Sequence, residues 1–152
     1  MSGRPSELKY VEEPLLQQLN ALGWDVLALD DSDKHDPEKS FRASFAEVII
    51  VKKLKDALAR LNPWLNDTQI EDLCVQFQNY PYPMDKLLEN NIEIFDRIVE
   101  GLSADNEETG EVNCPVRIID WSDADTFDKL LTQNDFLAIS QYKVRLHQRG
   151  VT

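Results

Sequence analysis

Apolar residues recur every three or four positions in four stretches of the first hundred residues, the spacing of one face of an α-helix. In the first stretch the stripe consists of leucines. Pro14 fits a first helical turn, so this helix is expected to begin near Glu12 or Glu13. Gly23 supplies its C-terminal stop. The next segment, Trp24 to Leu29, alternates in hydrophobicity and predicts a short strand.

The other three stretches predict longer helices whose apolar faces pack against a core. In the last of them the period indicates burial rather than a ligand-binding face. Its apolar positions are Leu87, Leu88, Ile92, Phe95, Ile98, Val99 and Leu102. In the helix before it they include Ile70, Leu73, Val75 and Phe77. The second stretch lies within Phe41 to Leu65; its apolar positions recur from Phe45 to Leu61, and Asn62-Pro63 ends the helix. The other two helices are expected from a cap at Asp67 or Thr68 to about Asn79, and from about Met84 to Leu102.

Beyond these helices the pattern changes toward period two, which is typical of strands. Ser103 to Glu111 is expected to be a polar turn, and Val112 to Trp121 and Asn134 to Leu146 are expected to be strands. Asp123 to Leu131 forms a short helical or looped link, around which the two strands could pair antiparallel. The predicted class is α+β, a single domain over residues 1–152 with several helices packed on a small, mainly antiparallel sheet.

Composition limits the function classes. Lysine and arginine number 16 against 28 acidic residues, so a formal net charge of -12 should repel a phosphate backbone, and any DNA contact must be local. Cys74 and Cys114 stand too far apart for a zinc or disulfide framework and are expected to be reduced thiols. The N-terminus does not resemble a signal peptide, and no apolar run approaches membrane-spanning length. The sequence predicts a soluble, cytoplasmic protein.

Candidate chemistry is sparse, because the common nucleotide-binding, hydrolase and zinc-protease motifs are absent. Four carboxylates stand at the ends of predicted elements, where they could serve a site or cap a helix: Glu12, Glu13, Asp120 and Asp135. A basic cluster on the second predicted helix could be a solvated face or could contact phosphates: Lys52, Lys53, Lys55 and Arg60. The residues alone therefore indicate an α+β domain without an identifiable active site.

Four stretches, taken in order, resemble the N-terminal region of the restriction (R) subunit of type I restriction-modification enzymes. They carry the L-N-P helix end, the I-D-W strand and the N-D-F-L-A-I-S-Q strand, and together they extend over nearly the whole chain. The stretches are Ser6 to Trp24, Ala57 to Leu65, Val116 to Trp121 and Asn134 to Val144.

The resemblance implies the opening part of a PD-(D/E)xK nuclease domain, in which carboxylates and a lysine surround Mg²⁺. By the E-x-x-L-L spacing, Glu12 is the candidate for a glutamate that assists the metal, with Glu13 as the shifted alternative. The family's catalytic Asp and E-x-K follow the N-D-F strand and have no counterparts here. The chain is therefore expected to be a fragment that is inactive alone and holds no complete metal site.

For the parent protein the resemblance implies an ATP-driven DNA translocase as well as the nuclease. Its partners would be DNA, the methylase subunit and the specificity subunit, with Mg²⁺ and ATP as cofactors. The DNA-contact candidates are Lys52, Lys53, Lys55, Arg60, Lys143 and Arg145. The alternative function is a non-enzymatic acidic adaptor or DNA mimic, whose carboxylates would imitate phosphate spacing for a DNA-binding partner.

Overall fold

The computed structural model describes residues 8–30, 32–79, 82–83, 85–122 and 126–143, and within them the predicted α+β class is confirmed. No described helix has the length and apolar character needed to cross a bilayer. The helices are α1 (Glu13–Ala21), α2 (Val51–Leu61), α3 (Asp67–Gln78), α4 (Leu87–Val99) and α5 (Phe127–Gln133), and the strands are β1 (Asp25–Leu27), β2 (Leu102–Asn106), β3 (Glu111–Val116) and β4 (Leu137–Ile139).

The chain forms two compact units. The outer unit combines Met1–Ala46 with Trp121–Thr152, and the central unit is the continuous segment Glu47–Asp120. The expectation of a single domain stays a prediction.

In the outer unit β1 and β4 pair in parallel, with Asp25 opposite Leu137 and Leu27 opposite Ile139. The prediction that β4 pairs antiparallel with the Val112–Trp121 segment is wrong. Period-two alternation identifies a strand but not its neighbour, and parallel partners are joined by long crossovers that the local pattern does not show. Two residues beyond β1, the Leu29 N–H donates a hydrogen bond to the Ser140 hydroxyl at 3.1 Å.

The turn between α1 and β1 depends on Gly23. Its φ of 90° is in the left-handed region, and a Cβ there would lie 2.8 Å from Leu131 Cδ1 of α5. Trp24, the next residue, packs edge-on against Phe136 with ring centroids 5.0 Å apart. This turn confirms Gly23 as the helix stop and leads the chain from α1 into β1.

The central unit holds a core built from α2, α3 and β3, whose buried members are Leu58, Leu65, Ile70, Leu73, Cys74 and Val116. Asn66 caps α3 in a reciprocal capping box with Gln69, so the predicted cap at Asp67 or Thr68 is displaced by one residue. Val75 was expected on the apolar face but is 51% exposed, because the buried face of α3 passes through Cys74 instead.

Helix α2 begins at Val51, so Phe45 and Val48, which were expected on its apolar face, precede the helix. The intervening run Val48–Ile50 is β-branched throughout, which disfavours helix initiation. Its end at Leu61, before Asn62 and Pro63, is as predicted.

Strands β2 and β3 form an antiparallel hairpin, in which Leu102 is opposite Val116 and Ala104 is opposite Cys114. Ser103 to Glu111 is therefore not one polar turn: its first half is strand, and the reversal is confined to the residues after Asn106. The Asn106 side chain accepts hydrogen bonds from the N–H groups of Glu108 and Thr109 there. The described sheets are thus two separate strand pairs, one parallel and one antiparallel, rather than one mainly antiparallel sheet.

The predicted fourth helix is shorter than expected, because Leu102 lies in β2, and its apolar residues are exposed rather than buried. The helix was recognised by its period, but the period does not say which face meets the core.

The two thiols of the central unit should differ in reactivity. Cys74 is 1% exposed, and burial raises the pKa of its thiol, whereas Cys114 is half-buried. We expect iodoacetamide to modify Cys114 in the native protein and Cys74 only in denaturant, as read by mass spectrometry of the two peptides. Equal rates at both positions under native conditions would contradict this arrangement.

Candidate functional site

The strongest candidate site lies where the start of α1 meets the end of β4. Glu12 ends a π-helical turn, Leu8–Glu12, that leads into α1, and its side chain is half-buried. Its carboxylate Oε2 accepts a hydrogen bond from Gln141 Nε2 at 2.9 Å. Glu12 is thereby held against the residue that follows Ser140 at the end of β4.

Gln141 occupies an unusual backbone conformation, with φ of 55°. Such a left-handed geometry is costly for a residue with a side chain and persists where neighbouring contacts fix it. The turn therefore departs from the extended strand predicted through Leu146. Residues 144–146 of that prediction lie outside the described part of the chain.

Arg42 anchors the two residues after Gln141. This side chain is 2% exposed, and its Nη1 donates to the Lys143 carbonyl at 2.8 Å, while its Nε donates to Ser40 Oγ at 2.8 Å. The guanidinium carbon lies 3.7 Å from the centre of the Tyr142 ring, a close cation–π contact. Arg42 thus fixes the chain immediately beyond the Glu12 contact.

The other carboxylate candidates are placed differently. Glu13 is exposed and lines a groove between α1 and β1 with Gln17 and Val26. Asp135 is exposed before β4 in the outer unit, and Asp120 is the last residue of the central unit. Glu12 is thus the candidate for which a hydrogen bond to the turn after β4 is seen.

A complete metal site does not fit the described residues. Across residues 8–143, apart from the short gaps noted above, no three histidine, cysteine, aspartate or glutamate side chains come together in a way that could hold an ion. Glu12 alone does not make a binding site for Mg²⁺, which takes several oxygen ligands in octahedral geometry.

The basic candidates are divided between the two units. In the central unit, Lys52 and Arg60 are exposed on α2, and Lys53 is half-buried. Lys55 forms an ion pair with Glu71 of α3, and that hydrogen bond raises the pKa of the lysine. Because Lys55 already binds a carboxylate, it is less available to a phosphate than an unpaired lysine would be.

In the outer unit, the ammonium of Lys143 lies 5.3 Å from the centre of the Phe45 ring. Arg145 lies outside the described residues.

Sequence reasoning missed the structural roles of Gln141, Arg42 and Asn62. Asn62 is 1% exposed and bridges the end of α2 to the segment after β3. Its Nδ2 donates to the carbonyls of Leu58 and Arg117 at 3.0 and 2.7 Å, and its Oδ1 accepts from the Arg117 N–H at 2.8 Å. The L-N-P motif predicted a helix end. It did not predict the partner of its asparagine, because Arg117 lies 55 residues later in the chain. For Arg42, the flanking Phe41 and Phe45 were the only sequence hint.

Comparison with known proteins shows which family the chain belongs to. Residues 4–151 match the family described as type I restriction enzyme R protein N terminus. The type I restriction enzyme HindI endonuclease subunit of Haemophilus influenzae is 23% identical over 141 residues, covering 92% of this chain and 12% of the relative's length. No solved structure matched. The chain belongs to the family of type I restriction enzyme R proteins, of which it forms the N-terminal region.

Proposed function

We propose that this chain forms the opening part of a PD-(D/E)xK-type nuclease domain in the R subunit of an ATP- and Mg²⁺-dependent type I restriction endonuclease. The observation that carries the proposal is the hydrogen bond between Glu12 and Gln141. It joins the first and last of the four stretches that resemble the family, and it lies at the C-terminal edge of a parallel strand pair. The printed name of the Haemophilus relative, an endonuclease subunit, supports the same activity.

In this proposal Glu12 assists a metal site whose principal ligands are other residues of the R protein. A bound Mg²⁺ would activate a water and offset charge on the phosphate. The proposal includes that this chain does not cleave DNA by itself, since its principal metal ligands would come from elsewhere in the R protein. Glu13 remains the shifted alternative to Glu12, without a contact to β4 that favours it.

DNA contact is proposed for the exposed part of the basic cluster on α2, chiefly Lys52 and Arg60, with Lys53 and Lys55 beside them. Lys143 and Arg145 are the corresponding candidates after β4. The net charge of -12 confines such contact to these local patches. The methylase and specificity subunits of the parent complex would supply recognition of the DNA sequence, and ATP would drive translocation. The complex would act in the cytoplasm.

The acidic DNA mimic is the less supported function. The family match covers residues 4–151 and accounts for the chain as part of a restriction subunit, without a role as a DNA mimic.

The test is DNA cleavage by the reconstituted full-length enzyme carrying Glu12→Gln, with Glu13→Gln as the matched control. We expect Glu12→Gln to slow cleavage about 10- to 100-fold, the range for residues that support a metal site, and to leave ATP hydrolysis unchanged. Glu13→Gln should cleave at the normal rate. The proposed role of Glu12 fails if its variant cleaves normally, or if both variants lose activity equally.

A further inference from the structure

Helix α4 is amphipathic, but its apolar side is exposed to solvent instead of facing the core. Leu87 is 68% exposed, Leu88 is 69% exposed and Phe95 is 62% exposed, although such side chains usually lie in the core. Ile92 and Val99 are also more than half exposed. We call the exposed residues the α4 face: Leu87, Leu88, Ile92, Phe95, Ile98 and Val99.

The polar side of α4 holds the helix to the central unit. Asn90 is buried, and its side chain accepts a hydrogen bond from the Tyr82 N–H at 3.0 Å and donates to the Tyr82 and Pro83 carbonyls. Arg97 donates to the carbonyls of Gln76 and Asn79 at the end of α3. These contacts fix the rotation of α4, so the α4 face cannot turn inward without breaking them.

The α4 face is continuous. With helical spacing of 100° per residue, its six residues fall within an arc of about 140° and a length of about 20 Å, interrupted only by Asn91. Contiguous apolar surface of this kind on a helix marks an interaction site. The α4 face therefore has the character of a surface that packs against another apolar surface.

We propose that the α4 face is covered by an apolar surface from another region of the same R polypeptide. Residues 4–151 match the N terminus of the family's protein, and the matched relative is many times longer, because the alignment spans 12% of it. The inference rests on this placement, and with it on the proposed function, but not on the role of Glu12.

Charge and size argue against a second copy of the chain. Two copies, each with a net charge of -12, repel one another. A stable interface between separate molecules usually engages about 20–30 residues on each side, whereas the α4 face offers six. A region of the same polypeptide pays no translational entropy on docking, so a small apolar contact is enough to hold it.

Cysteine labelling tests the proposal. Phe95→Cys and, as the matched control, Val112→Cys are made in a Cys114→Ser background, in this chain and in the full-length R protein. Val112 is 70% exposed and lies in β3 of the same unit. Labelling by a charged maleimide is followed at each peptide by mass spectrometry, and the buried Cys74 reports that the central unit is folded.

We expect both engineered thiols to react at similar rates in the 152-residue chain. In the full-length protein, Phe95→Cys should be slowed about tenfold or more relative to Val112→Cys, because about 1.4 kcal/mol of docking corresponds to that factor. If Cys74 reacts in the short chain, the ratio of the two rates within the full-length protein decides the outcome by itself.

Four results would overturn the proposal. Equal rates in the full-length protein would show an uncovered face. Protection in the short chain would show that its own residues cover the face, or a second copy if the protection rises with concentration. Protection that appears only after the methylase and specificity subunits are added would assign the face to them. The cleavage rate of the Glu12→Gln enzyme is measured independently of this labelling, so the two proposals can fail separately.

Discussion

Replacing Asn62 by alanine is expected to destabilise the central unit by about 3 kcal/mol, since each buried backbone group left without its partner costs about 1–3 kcal/mol. The substitution removes the bridge from α2 to both backbone groups of Arg117. It also leaves a space at a residue that is 1% exposed. Asn62→Asp should be no better, because a carboxylate can still accept from the Arg117 N–H but cannot donate to either carbonyl.

The measurement is the urea dependence of Cys74 labelling, since this thiol lies in the core of the central unit. The midpoint should fall for Asn62→Ala at unchanged slope. Asn91→Ala is the control, because Asn91 is an exposed residue of the same type in the same unit, and it should change stability by less than about 0.5 kcal/mol. A small shift for Asn62→Ala would mean that the bridge contributes little.

Replacing Arg42 by alanine should have an effect of similar size on the outer unit, about 3 kcal/mol, because the change removes one buried hydrogen bond, one partly buried hydrogen bond and a stacked aromatic contact. The Lys143 carbonyl loses its Arg42 donor, and Tyr142 loses the guanidinium that packs on its ring. Arg42→Lys should recover only part of the loss, since an ammonium cannot reproduce the planar fork.

Hydrogen exchange at the Ser140 amide, which donates to the Leu27 carbonyl, reports this unit directly. A loss of 3 kcal/mol corresponds to exchange about 150-fold faster when the amide exchanges by unfolding of the unit. Lys39→Ala is the matched control, because this exposed cation pairs with Asp33 at 3.9 Å and contributes little. Arg42→Ala with normal exchange at Ser140 would show that the anchor is dispensable.

Much of the secondary structure could be predicted from the local sequence pattern, but the pairing of the strands could not. The ends of α1 at Gly23 and of α2 at Asn62 follow from residues with strong backbone preferences, which act within a few positions. The partner of β4 is set by contacts with a strand more than a hundred residues earlier. The α4 face shows the same limit, since a period of 3.6 defines an apolar side without stating what covers it.

The candidate site was predictable as two separate pieces. The resemblance singled out Glu12 and the N-D-F-L-A-I-S-Q strand, but nothing in either stretch indicated that the carboxylate would meet Gln141. That contact depends on the direction of α1, the turn at Gly23 and the parallel register of β4, which are tertiary properties. The catalytic role of Glu12 and the DNA contacts of the basic residues stay predictions.

The parallel pairing of β1 with β4 also constrains the order of folding during synthesis. Everything in the central unit lies in one uninterrupted segment, Glu47–Asp120, whereas the outer unit needs both ends of the chain. A ribosome delivers the hairpin and helices of the central unit before β4 exists, so β1 must wait for its partner. The strand pair beside which Glu12 lies is therefore expected to form late, after the whole segment of the central unit has been synthesised.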